Sequence, residues 1–123
     1  MIKLVYCVRR RADVSEDEFH RYWLEQHGPL VRSMAEAILA RRYVQSHTIG
    51  PELNQAIARS RGLSNGYDGI TEVWWDDVTT YRAGFSTPAG VAARERLIAD
   101  ESTFIDFSRS CSFLTEEHVI FDR

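Results

Sequence analysis

The chain has 123 residues and a net charge of −3. That is enough for one domain with its own core, read over residues 1–123, and it gives no electrostatic case for nucleic acid or an anionic membrane as partner. Apolar residues at 44% and charged residues at 27% are an ordinary balance for a soluble protein, and no run approaches the roughly 20 apolar residues that cross a bilayer. Lys3 and Arg9 interrupt the first apolar run, so no secretory leader is expected. Cys7 and Cys111 stand far apart with no C-x-x-C spacing, which suits free thiols in a reducing cytoplasm.

In chain order, IKLVYCVR (2–9) alternates as a strand, with Ile2, Leu4, Tyr6 and Val8 on one face and Lys3, Val5 and Cys7 on the other. The basic cluster Arg9–Arg11, like Arg41–Arg42 later, reads as a solvated strand end. Ser15 followed by Glu18 is a capping box that opens a helix. That helix is expected to kink or stop at Gly28-Pro29, because Pro29 lacks an N–H and crowds the carbonyl of Glu25. A second helical piece then runs through PLVRSMAEAILAR. RYVQSHTI (42–49) is the second strand, with Tyr43, Gln45, His47 and Ile49 on one side.

Residues 50–69 are a long connection. Pro51 suits a helix start, Leu53, Ala56 and Ile57 make a short apolar stripe, and Gly62 suits a stop. A connection of this length predicts a lid over a binding site, with a surface insertion as the alternative. LSNGYDG is turn chemistry. GITEVWW (69–75) is the third strand, a helical region restarts at Thr87-Pro88, and SCSFLTEEHVIF is the last strand. The order β-α-β-β-α-β is the ferredoxin-like pattern, an α+β fold with a four-stranded antiparallel sheet. Helices cover one sheet face. The apolar residues on the other face call for a second copy, hence a homodimer.

The chemistry centres on His27. At about 100° per residue, with Phe19 as zero, Trp23 falls near 40° and His27 near 80°, while Glu18, Arg21 and Glu25 fall opposite. His27 therefore faces the sheet. Two readings stand: a helix cap bonding a carbonyl, or an acid/base group in a half-dry cavity made by the kink. His47 is either a core histidine or a polar wall of the same cavity, shared with Tyr43. Phe19, Tyr22, Trp23, Trp74 and Trp75 are core, ligand walls, or both. Phosphate loops, H-E-x-x-H and G-x-S-x-G are absent from the sequence, so no metal and no cofactor are expected.

FHRYWLEQHGPL after a strand, then RRYVQSHTI, PELNQAIARSRG, YDGITEVWW and TEEHVI, together resemble the EthD family over nearly the whole chain. W-x-x-x-H-x-P is the most specific part. The resemblance implies a dimeric α/β barrel, in which two sheets close on each other. It also implies relatives such as cofactor-free methylmuconolactone isomerases, fungal polyketide dehydratases and decarboxylases, and proteins encoded beside ether-degrading monooxygenase systems. In isomerase-like members a histidine matching His27 is thought to move protons, with a tyrosine near Tyr43.

Two functions follow. One is a cofactor-independent isomerase, lyase or dehydratase acting on a small hydrophobic cyclic, aromatic or polyketide-like ligand. His27 would move the proton, Tyr43 or His47 would bond an oxyanion, and Phe19, Tyr22, Trp23, Trp74, Trp75, Leu53 and Ile57 would hold the substrate. The other is a non-catalytic binding protein serving an oxidative catabolic pathway. A monooxygenase on the same fold is a third.

Overall fold

The computed structural model describes residues 1–64 and 66–123. Four strands, β1 (Ile2–Val8), β2 (Arg42–His47), β3 (Gly69–Trp75) and β4 (Cys111–Glu116), form an antiparallel sheet in the order β2-β3-β1-β4. Period-2 alternation fixes its register, because slipping one residue would turn every apolar side chain to the other face. Leu4 pairs with Val73 and with Leu114, Tyr6 with Thr71, and Tyr43 with Val73. These residues share the face that carries the helices. Lys3, Val5, Cys7, Val44, Ile70, Glu72, Trp74 and Phe113 share the other. β2 and β4 are shorter than the expected 42–49 and 110–121.

Ser15 caps α1 (Glu16–Tyr22), its hydroxyl accepting from the Glu18 amide as expected. The expected break at Gly28-Pro29 is not there. Gly28 has φ −54 and ψ −52, and helix continues into α2 (Gly28–Met34). The irregularity lies one turn earlier, in a π-turn over Trp23–His27, where the Gly28 N–H donates to the Trp23 carbonyl. One extra residue in that turn lets the chain carry Pro29, which cannot donate to Glu25, without ending the helix. The Trp23 carbonyl also accepts from Gln45 Nε2 at 2.7 Å, so the π-turn is tied to the sheet. The second helical piece ends at Met34, short of the expected Arg41.

α3 (Pro51–Arg61) starts at Pro51 and stops at Gly62, whose φ of 64 suits glycine. Its residues do not line the cavity of the same protomer. Leu53 is 72% exposed and Ile57 53%, so most of the stripe faces solvent in the protomer. The LSNGYDG turn includes Asn65, which lies outside the described residues. α4 (Val78–Gly84) and α5 (Pro88–Glu101) follow β3, with Thr87 Oγ1 accepting from the Gly90 amide at the restart.

The core is in two parts. Val8, Phe19, Trp23, Phe104 and Ile105 pack at one end. Ile38, Val73, Trp75 and Ala93 pack at the other. Residues of both clusters line a cavity of about 980 Å³ between helices and sheet.

Candidate active site

α5 restarts at Thr87-Pro88 and presents Gly90, Ala93, Leu97 and Asp100 to the interior at helical spacing. A carboxylate on an apolar stripe must find donors, since an unpaired buried charge costs several kcal/mol. Asp100 finds them on α1 and the π-turn. Its Oδ1 accepts from Tyr22 Oη at 2.5 Å, and its Oδ2 accepts from His27 Nδ1 at 2.8 Å. Arg96 Nη1 stands 3.9 Å from Oδ1. His27, the last residue of the π-turn, reaches this partner from the helix side, and Phe104 packs edge-on against its ring at 5.2 Å.

His27 is 4% exposed and lines the cavity. Because a carboxylate only accepts, the Asp100 bond places the imidazole proton on Nδ1 and leaves the Nε2 lone pair free. Burial lowers the His27 pKa, while Asp100 raises it through its hydrogen bond and its charge, and burial prevails. The imidazole is a neutral base held in one tautomer. Its partner is the Asp100 carboxylate, not the helix-end carbonyls expected from a kink.

Glu101 also lines the cavity, with Oε2 4.0 Å from His27 Nε2. Burial pushes its pKa up to about 7, although a hydrogen bond from Tyr6 opposes the rise. Burial also pushes the Tyr6 phenol upward. On the sheet, Tyr43 Oη accepts from Gln45 Nε2 at 2.9 Å, which leaves the phenol O–H to donate. Burial raises the Tyr43 pKa, so it stays a neutral donor.

The site residues expected from sequence therefore divide. His27, Tyr43, Trp23 and Trp75 line the cavity. Trp74 lies on the opposite sheet face, under Lys3 and Arg42, and donates to the Glu117 carboxylate. His47 does not line the cavity either. It lies against Trp23 at 4.3 Å, meets His20 Nδ1 at 2.7 Å, and bonds Gln45 Oε1 at 2.8 Å. Gln45 thus links it to Tyr43 by hydrogen bonds. Phe19 is wholly core. Tyr22 reaches Asp100 from the far side, and Leu53 and Ile57 stand on the exposed stripe of α3. Asp100, Glu101 and Tyr6 were missed by sequence reasoning. For Asp100 the available signal was an acid in phase with the buried stripe of α5.

Among the described residues no group of three or more His, Cys, Asp or Glu is placed to hold a metal ion. No described helix is long and apolar enough to cross a membrane.

Comparison with protein families gives a match to the EthD domain over residues 11–108. The chain belongs to the EthD family. Against curated proteins no match is found. Among solved structures, this EthD domain is similar to an EthD-family protein of Bacillus halodurans, at 18% identity and a TM-score of 0.64, over 96% of this chain and 99% of that one. A dimeric ferredoxin-like protein of unknown function from Thermobifida fusca matches at 16% identity and a TM-score of 0.57, over 93% and 88%. SnoaB of Streptomyces nogalater, a cofactor-independent oxygenase seen as a mutant form, matches at 11% identity and a TM-score of 0.55, over 98% and 97%. At these identities the likeness concerns the ferredoxin-like fold alone.

Proposed function

We propose that this EthD domain is a cofactor-independent enzyme that removes a proton from a small hydrophobic cyclic, aromatic or polyketide-like compound. One observation carries the reading: Asp100 holds Nδ1 of a buried, cavity-lining His27, so that Nε2 serves as the base. The depressed His27 pKa keeps that base unprotonated at neutral pH. Tyr43, positioned by Gln45, donates to the oxyanion that forms when the substrate loses its proton. Trp23, Val73 and Trp75 exclude water and give the apolar body of the substrate its walls. The domain works as a homodimer, a reading supported by the apolar outer sheet face and by the dimeric Thermobifida fusca relative.

The test uses a simple carbon acid, α-angelica lactone, a five-membered β,γ-unsaturated lactone, incubated with the protein in D2O. The expected outcome is exchange of its α-hydrogens, followed by NMR. In His27→Gln that exchange should fall by about 10² to 10⁴. Equal exchange in His27→Gln and the parent would end the base reading and leave a binding protein of an oxidative pathway in its place.

A further inference from the structure

Removing a proton leaves an anion, and what happens next depends on what else faces it. Arg82 and Arg94 also line the cavity, but the acid beside His27 is Glu101, at the end of α5. Its Oε2 stands 4.0 Å from Nε2. That is too far for a hydrogen bond and close enough for both groups to reach two carbons of one bound molecule with a third between them. Its neighbour Asp100 is occupied by Tyr22, His27 and Arg96 and serves to hold the imidazole. Burial raises the pKa of Glu101, and the Tyr6 phenol on β1 opposes that rise.

We propose that Glu101 is the acid partner of His27. Together they make the site one for proton shifts and eliminations on unsaturated carbonyl compounds, in which the proton taken at one carbon is matched by one given at another atom from the same side. The inference rests on the base reading of His27 and deepens it. Nε2 takes the α-proton, and the C–H electron pair moves into a dienolate whose oxygen Tyr43 bonds. The Glu101 carboxylic acid then gives its proton to the γ-carbon, or to a leaving hydroxyl, which departs as water. His27 is now an imidazolium and Glu101 a carboxylate. Moving the proton from Nε2 to Oε2, after the side chains close by about 1 Å, restores both. No electrons leave the system and no co-reactant is needed. A carboxyl with a pKa of about 7 is present as the acid in a substantial fraction of molecules at neutral pH, as this step needs.

α-Angelica lactone separates the two steps. Exchange at its α-carbon reports His27, and conversion to the conjugated α,β-isomer reports delivery at the γ-carbon. The expected result in D2O is that the parent protein does both and places one solvent deuterium on the γ-carbon. Glu101→Gln should lose isomerisation by about 10²-fold or more, a loss at least about tenfold larger than any it causes in α-exchange. Tyr6→Phe should keep both activities and shift the pH profile of isomerisation alone. Isomerisation by Glu101→Gln at the parental rate would overturn the proposal, as would a parent that exchanges the α-hydrogens without isomerising the lactone. Either result leaves His27 as base. A parent that does neither overturns the base reading and this inference with it.

Discussion

Glu101 and His27 carry opposite pH signatures. Glu101 binds its proton more tightly folded, with a pKa near 7 against an ordinary 4.5. Its contribution to stability is complete below about pH 4.5 and is lost as pH rises through about 7. At about 1.4 kcal/mol for each pKa unit, the loss is roughly 3 kcal/mol. His27 is lowered from 6.5, so its contribution is present above that value and is lost as pH falls through its folded pKa. Glu101→Gln does not titrate. Its stability relative to the parent should rise by roughly 3 kcal/mol between about pH 4.5 and 7.5. Urea unfolding at one protein concentration and several pH values checks this, and parallel curves would remove the strain assigned to Glu101.

At the scale of elements, the sheet shows how closely the helices are seated. Gly69 opens β3, and a Cβ there would lie 2.5 Å from the Trp23 ring and 2.6 Å from the Ser46 carbonyl. Neither can yield, because Ser46 is strand backbone and Trp23 is packed against Phe19 and His47. Gly69→Ala should cost about 1–3 kcal/mol, read as a lower urea midpoint at unchanged slope. An unchanged midpoint would mean that the helix layer can shift. The strands and the Ser15 start were legible because alternation and capping are local. So was the phase that turns His27 inward. The π-turn was not, since it takes one residue out of the 3.6 period while every residue in it remains an ordinary helix former. Glu101 and Asp100 were not either, because their meaning depends on His27, 73 positions before Asp100. The stripe of α3 was legible as helix, but amphipathic spacing gives the face and not what covers it.

At the scale of the molecule, the outer sheet face is unfinished in one protomer. Phe113 is 51% exposed beside Val5, with Val44 farther along the same row and Ile70 in the row of Cys7, and Lys3 is paired to Glu72 at 2.7 Å. A second copy on this face should bury about 1,500 Å² or more and form an obligate dimer. Light scattering at low micromolar concentration should give twice the protomer mass, and Val5→Glu should dissociate it. A monomeric parent would refute the dimer. The same topology that leaves this face open takes the site from both halves of the chain: the imidazole before β2, its carboxylate partner at the end of the last long helix. During synthesis at about 5–20 residues per second, His27 waits about 4–15 s for Asp100 to follow it. For that interval the nascent chain carries a histidine with no carboxylate to orient it, so the base is assembled by the closing of the fold rather than by any segment made earlier.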